Sequence, residues 1–362
     1  MSRNAGRPER ILVQAPTWIG DVVMATSAFV DIRRSYPNAH IAILVKPGRD
    51  GILAGGDYYD ELIVDRSPRG LGELMATARE LRRRRFDLAI LFSDSFRVAA
   101  MTALAGIPRR VGYRRNLRSL LLTEPLRYPG LRGVKTPEPM PARYGRILSV
   151  LGITPGDSRP VLRVTENEEA RLRDRRAKLG VRDGEQLVGL NPGAAFGASK
   201  MWPPEHFARL GDAIVERFGA RAVILVGPGE EPIAVAIERR MRHRPVSTAN
   251  SLVPLDELKA LVRDLRLLVT TDTGPRHYAV AFRVPVVVLM GPTDPRYTNI
   301  NLDETELLRR EDVECIACHH KVCPIDHRCM RWITPEHVLD RIDRLNEQFD
   351  VFGLPKHPGH RK

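Results

Sequence analysis

The sequence predicts an α/β protein of two domains, each a parallel sheet flanked by helices, and three observations carry that prediction. At 362 residues, with 43% apolar and 28% charged side chains, the chain is long enough for two ordinary hydrophobic cores. Short apolar runs alternate with helical stretches, the rhythm of strand, loop and helix. That opening rhythm recurs near residue 186, after a charged segment, so two similar units head two halves of the chain.

Taken in order, the first domain opens with a strand at Ile11 to Ala15, a turn through Pro16, Gly20 and Asp21, and a helix from Val22 to about Ser35. Strands follow at Ile41 to Val45, Glu61 to Val64 and Asp87 to Phe92, then a helix after Ser95 and a short strand at Arg110 and Val111. Tyr128 to Pro141 is rich in Pro and Gly and reads as a loop, followed by a helix from Ala142 to about Leu151. Glu166 to Arg182 concentrates charge and reads as a helical connection. The second domain begins with a strand at Gln186 to Leu190, a loop from Asn191 to Pro203 and a helix from Pro204 to Phe218. Strands at Ala222 to Val226, Leu265 to Val269 and Val284 to Met290 continue its sheet, and a helix from Pro335 to Phe349 closes it. The expected boundaries are 1–165, a connection over 166–185, 186–345 and a tail over 346–362. The architecture expected is two Rossmann-like domains facing one another across a cleft.

Composition narrows the function. No apolar run approaches the roughly 18 residues that a spanning helix needs. The basic N-terminus gives way to a polar loop and Asp21 rather than to the apolar region of a secretory signal, so the chain reads as cytoplasmic. Lys and Arg number 57 against 44 Asp and Glu, a net charge of +13, which favours a polyanionic partner: nucleic acid, anionic lipid or a phosphorylated glycolipid. Neither G-x-G-x-x-G after an opening strand nor G-x-x-x-x-G-K-[ST] occurs, which argues against a dinucleotide oxidoreductase and a P-loop NTPase.

Four cysteines, Cys315, Cys318, Cys323 and Cys329, follow a C-x2-C-x4-C-x5-C spacing with His319, His320 and His327 interleaved. In a cytoplasmic chain this points to a candidate structural zinc site before it points to disulfides. The spacing is not that of a ribbon or finger, and the plain alternative is a loop of reduced thiols or a bridge near the surface.

The chemistry concentrates at strand ends. Thr271 to His277 reads as a strand end, a tight turn and a helix start between two apolar runs. Gly274 allows close backbone approach, and the free N–H groups of the new helix favour an anion such as a diphosphate, with His277 as a further donor. The alternative is that Asp272 or Thr273 merely caps the helix. A neighbouring strand ends in Gly291-Pro292-Thr293-Asp294-Pro295, so two turn-rich loops stand where open α/β sheets bind ligands. Asp21, after Gly20 at the first strand-to-helix junction, is placed to act as a general base toward the cleft, or else to cap the helix. Lys200 follows the first strand of the second domain and can neutralise a departing diphosphate; its alternative is a solvated lysine. Gly227 to Glu231 ends another strand, where a carboxylate suits ribose hydroxyls. Trp202 reads as packing rather than base stacking. Of the arginines, the Arg82 to Arg85 run reads as helix surface, whereas Arg97 and the Arg109 to Arg118 stretch, Arg114 and Arg115 included, lie near strand ends and can meet an acidic acceptor.

In this order and spacing, Trp18-Ile19-Gly20-Asp21, Ser95-Phe96-Arg97, Ala105 through Tyr113, Pro192-Gly193-Ala194 with Lys200-Met201-Trp202-Pro203, Asp272 through His277, and Gly291 through Pro295 form a specific set. Over nearly the whole chain it resembles glycosyltransferase family 9, the ADP-heptose lipopolysaccharide heptosyltransferases, in particular those of the second inner-core type. The resemblance implies two facing Rossmann-like domains in the GT-B arrangement, with nucleotide sugar on the second and acceptor on the first. It implies Asp21 as base, Lys200 on the diphosphate, Asp272, Thr273, Gly274 and His277 lining the donor pocket, and Glu231 on the ribose. Inverting chemistry with no obligatory metal follows, with no mapped role for Arg276 or the cysteines. The implied partners are ADP-heptose and an anionic lipopolysaccharide core acceptor, met by peripheral contact with the inner membrane, and no nucleic acid. Arg97, Arg114 and Arg115 are the acceptor-side candidates. Alternatives are a related family 9 transferase with another acceptor or sugar, and a basic nucleic-acid-binding protein with a Cys/His zinc module, for which no recognition helix or aromatic RNA platform is present.

Overall fold

Each half of the chain holds six short strands, aliphatic toward the centre of each sheet, and they pair in two separate sheets. The computed structural model describes residues 7–66, 70–115, 117–129 and 136–353, so parts of the expected 128–141 loop and of the expected 346–362 tail lie outside the described residues. The chain divides into two compact units, Met1–Arg163 and Val164–Lys362.

The first unit contains β1 (Arg10–Gln14), α1 (Ile19–Ser35), β2 (His40–Val45), α2 (Asp50–Leu53), β3 (Glu61–Val64), α3 (Leu71–Arg83), β4 (Leu88–Leu91), α4 (Phe96–Leu104), β5 (Arg109–Tyr113), β6 (Glu124–Leu126) and α5 (Met140–Val150). Its strand order is β3-β2-β1-β4-β5-β6, every pair parallel, with Ile11 opposite both Ile41 and Leu88. Helices cover both faces, which is why the central strands are apolar on both sides rather than alternating. On one face Leu12, Leu44 and Leu91 meet Leu74, Ala78 and Leu81 of α3 and Met101 of α4. On the other, Phe29 stacks on Phe92, and Phe92 on Tyr144, with ring centroids 5.7 and 4.8 Å apart.

The second unit runs α6 (Glu166–Lys178), β7 (Leu187–Asn191), α7 (Pro204–Phe218), β8 (Arg221–Ile224), α8 (Glu231–Glu238), β9 (Val246–Ser247), α9 (Leu255–Arg263), β10 (Leu267–Thr271), α10 (Gly274–Ala281), β11 (Val286–Leu289), β12 (Thr305–Leu308), α11 (Arg328–Arg331) and α12 (Pro335–Phe349). The order β12-β11-β10-β7-β8-β9 is the order of the first sheet again, each unit placing its strands third, second, first, fourth, fifth and sixth. Both halves are therefore Rossmann-like and wound alike. The charged segment is the helix α6, begun by a reciprocal cap between Thr165 and Glu168. It packs on α9 through Glu168–Lys259 at 3.1 Å, Arg175–Glu257 at 2.5 Å and the Arg263–Glu169 pair, so it travels with the second unit. Trp202 is fully buried and its indole N–H donates to the Ile333 carbonyl at 2.8 Å, which makes it a packing residue as expected.

The α1 helix starts at Ile19, three residues before the sequence pattern suggests, because extended Trp18 takes the N-cap position. Among the described residues no helix is long and apolar enough to cross a membrane.

Candidate active site

Both strand orders reverse beside their first strand, and ligands of such sheets bind in the crevice at the carboxyl ends of the strands flanking that reversal. In the second unit those strands are β7 and β10. The loop after β7 carries Gly193 and Lys200; Asp272 and Thr273 link β10 to α10, whose first turn runs from Gly274 to His277. Short polar bonds stitch the two strand ends together: the Asn191 amide donates to the hydroxyls of Thr270 and Thr273, each at 2.9 Å, and the Thr271 hydroxyl donates to the Gly193 carbonyl at 2.8 Å.

Asp272 is the hub of this edge. Its carboxylate accepts from Lys200 Nζ at 2.9 Å, from the Thr293 hydroxyl at 2.8 Å and from Arg276 Nη1 at 3.1 Å. Lys200 also donates to the Asp272 carbonyl at 2.6 Å, and Arg276 holds both the hydroxyl and the carbonyl of Thr298. Burial alone would raise the Asp272 carboxyl; Lys200 and Arg276 beside it, with the Thr293 hydroxyl, hold it well below the ordinary carboxylate range. Within this cluster two cations meet one carboxylate, a surplus positive charge next to the start of α10. Lys200 is thus a buried, paired cation rather than the solvated alternative. Neither Asp272 nor Thr273 caps α10 with its side chain: Thr273 holds the N-cap position by backbone alone, so the helix start stays open to an anion.

His277 lies in the first turn of α10 and is buried. Burial, and then the Arg276 charge, push its imidazole down to about 3, so it is neutral and can donate one ring N–H without adding charge. The unfolded imidazole takes a proton below about 6.5 while the folded one does not, so folding stability falls as pH drops from there toward the folded value. Between about pH 7 and about pH 5 this residue is expected to remove about 2 kcal/mol. Denaturant unfolding of the protein and of His277→Gln at both pH values checks it: the variant should lose less stability on acidification, and equal losses would contradict a buried neutral imidazole.

The cysteine loop braces Lys200. Gly197 has φ +152, and a Cβ there would strike the Lys321 carbonyl, so glycine is required for the two loops to touch. The Ser199 N–H donates to the Lys321 carbonyl at 3.0 Å, and a His327 ring nitrogen lies 2.7 Å from the Ser199 carbonyl. All four cysteines are free thiols, and Cys329 is buried. Its thiol is pushed up to about 11 by burial and by the nearby Cys315, Cys323 and Cys318. No three metal-ligating side chains converge among the described residues, so the zinc expectation meets clustered thiols but no assembled ligand set.

Of the acidic pair after β8, Glu230 lies against the loop that follows β7. Its carboxylate accepts from the Gly227 N–H at 2.9 Å and occupies the space where a Cβ on residue 193 would stand. Glu231 opens α8 and is half-buried. Sequence reasoning missed the partners of Asp272. Arg276 had a usable signal, since it follows Asp272 by four positions across the start of α10; Thr293 and Glu230 had none beyond their loops.

In the first unit the reversal lies between β1 and β4, joined by the Gln14 side-chain oxygen, which accepts from the Ser93 N–H at 3.0 Å and hydroxyl at 2.8 Å. Asp21 is the third residue of α1, not its cap, and is partly exposed at this edge. The Tyr144 hydroxyl lies 3.5 Å from its carbonyl, and burial followed by the Asp21 charge raises that phenol. Arg97 donates to the Gly70 carbonyl at 3.1 Å. The Arg109 to Arg118 stretch divides sharply. Arg109 pairs with Glu124 at 2.9 Å and Arg118 is fully buried against the carbonyls of Tyr113 and Ser93, whereas Arg114 and Arg115 face outward, Arg115 within 3.8 Å of Asp94.

Known proteins are similar to this chain in sequence and fold. A model of the family described as Glycosyltransferase family 9 (heptosyltransferase) matches residues 74–328. The lipooligosaccharide heptosyltransferase 2 of Haemophilus influenzae is 29% identical over 354 residues, covering 92% of this chain and 99% of that one. The lipopolysaccharide heptosyltransferase 2 of Escherichia coli strain K12 is 27% identical, covering 93% and 98%. The solved structure of the E. coli ADP-heptose LPS heptosyltransferase II is similar with a TM-score of 0.77 at 26% identity, covering 94% of this chain and 99% of that one.

Proposed function

The chain belongs to glycosyltransferase family 9, and on that premise we propose that it moves heptose from ADP-heptose onto the inner core of lipopolysaccharide, at the cytoplasmic face of the inner membrane. The observation that carries the donor assignment is the buried Lys200–Asp272–Arg276 cluster, whose surplus positive charge adjoins the open start of α10. A leaving diphosphate develops negative charge as the sugar departs, and preorganised cations and helix N–H groups stabilise charge of that kind most. Thr273 and Gly274 belong to the same helix start. Glu230 or Glu231 after β8 supplies the carboxylate for the ribose.

Asp21 is the base of this reading. It accepts the proton of an acceptor heptose hydroxyl while the oxygen attacks the anomeric carbon; the bond from that carbon to the diphosphate breaks, and ADP leaves toward Lys200. One direct displacement inverts the anomeric configuration. Arg97, Arg114 and Arg115 lie at the same sheet edge as Asp21 and match the phosphates of the acceptor.

A panel of ADP- and UDP-sugars, offered with truncated lipid A acceptors and read by mass spectrometry, tests the reading. A product heavier by one heptose, formed from ADP-heptose alone, is expected; a product from a UDP-sugar, or none from ADP-heptose, would overturn it.

A further inference from the structure

All four cysteines of the chain fall between residues 315 and 329, and the stretch that carries them ties together two loops of the second unit. On one side, the His319 N–H donates to the Pro292 carbonyl at 2.8 Å and the Ala317 N–H to the Gly291 carbonyl at 3.4 Å; the residue after Pro292 is Thr293, the hydroxyl donor to Asp272. On the other, the Lys321 carbonyl accepts the Ser199 N–H at 3.0 Å and the His320 carbonyl accepts the Ser199 hydroxyl, one residue before Lys200. Residues 317–321 are thus a strap whose ends adjoin two of the groups that hold the Asp272 carboxylate.

The strap is bent at a cost. Ala317, His319 and His327 have φ of 59, 57 and 59, three of the eight non-glycine residues in the left-handed region among the described residues. Backbone held there against its preference is common at ligand clamps and switches.

The thiols at the start of the strap are close and reachable. Residues 314–317 form a turn, and a turn brings residues three apart to under about 7 Å, within the reach of a disulfide. Cys315 and Cys318 are free thiols and partly exposed. Cys329 is buried against Gly291, where a Cβ would stand 2.9 Å from its sulfur, and the anchored His319 and Lys321 separate Cys323 from the pair.

We propose that Cys315 and Cys318 form a reversible oxidation site that lowers the affinity of the second unit for a nucleoside diphosphate. A peroxide oxidises one thiolate to a sulfenic acid and leaves as hydroxide; the second thiol attacks that sulfur, the S–S bond forms, the S–O bond breaks and water departs. A dithiol restores both thiols by exchange. The new bond draws together the ends of a turn whose neighbouring N–H groups, at 317 and 319, hold the loop after β11, so Thr293 loses its register with Asp272. In a reducing compartment a disulfide of this kind is transient and sensing rather than structural. The effect on binding rests on the donor reading above, whereas formation of the bond does not.

The test treats the reduced full-length protein with hydrogen peroxide, maps its tryptic peptides by mass and measures ADP binding by calorimetry before and after. Trypsin cuts after Arg310, Lys321 and Arg328, so residues 311–321 carry Cys315 and Cys318 together while Cys323 and Cys329 leave on separate peptides. Peptide 311–321 is expected to become lighter by its two thiol hydrogens, with ADP affinity down about fivefold or more, and dithiothreitol should restore both. Cys315→Ser should bind ADP as the reduced protein does and ignore peroxide; Cys323→Ser should respond like the unaltered chain. Disulfide-joined peptides, oxidation confined to Cys323 or Cys329, or thiols protected from peroxide until a chelator releases a bound metal would overturn the pair. An oxidised protein that binds ADP as tightly as the reduced one would overturn its effect on the site. Reduced protein that fails to bind ADP would instead sink the donor reading, and the peptide masses by themselves then decide for or against the pair.

Discussion

Asp21→Asn is expected to lower kcat by about 10²- to 10⁴-fold, the usual contribution of a positioned general base. The substitution keeps the size of the side chain and its place in the first turn of α1, but an amide cannot take the acceptor proton. The binding constant for ADP-heptose should stay within about twofold, because the residues assigned to the diphosphate lie in the second unit, around Asp272, and sites that share no partners act independently. Stability should fall by no more than about 1 kcal/mol, the worth of a negative charge near a helix start. Steady-state ADP release with an equilibrium measurement of donor binding reads both quantities. A variant that keeps its turnover would remove Asp21 from the reaction, and one that loses donor binding equally would give it a structural role instead.

The parts of this molecule legible in the sequence are those whose physics is local. Buried central strands such as Ile11 to Val13 and Val286 to Leu289 announce themselves as aliphatic runs, and the helices Pro204–Phe218 and Pro335–Phe349 begin with proline in the first turn and carry a periodic apolar stripe. Apart from Glu61–Val64, the edge strands do not. Glu124–Leu126 and Val246–Ser247 are two or three residues long and half-covered, so no pattern separates them from loop. The candidate site divides in the same way. The turn from Thr271 to His277 and the glycines beside it are local features, visible in order. The salt link from Lys200 to Asp272 joins residues 72 positions apart, and nothing in either neighbourhood states that they meet. The arginines show the converse problem: Arg109, Arg114 and Arg118 look alike in sequence, and only the fold buries one, pairs one and leaves one outward.

Asp272→Ala should produce the largest loss of stability of any substitution at this site. Lys200 and Arg276 are both about nine-tenths buried or more, and Asp272 is the carboxylate that both contact. Removing one member of a buried ion cluster strands the rest, at a cost of about 3–5 kcal/mol, which for a unit of this size corresponds to a drop in Tm of roughly 6–20 °C. Asp272→Asn should cost less, since its side-chain oxygen can still accept from the Thr293 hydroxyl while the charge is lost. The origin of the loss can be separated from simple truncation. If uncompensated charge is the cause, adding Lys200→Met to Asp272→Ala should restore part of the stability, with a coupling of about 0.5–3 kcal/mol; if lost packing is the cause, the two substitutions should add. Urea unfolding of the single and double variants decides between them. A loss under about 1 kcal/mol in Asp272→Ala would mean that both cations find other partners in solution, and the surplus charge assigned to the diphosphate would then have no fixed position at the start of α10.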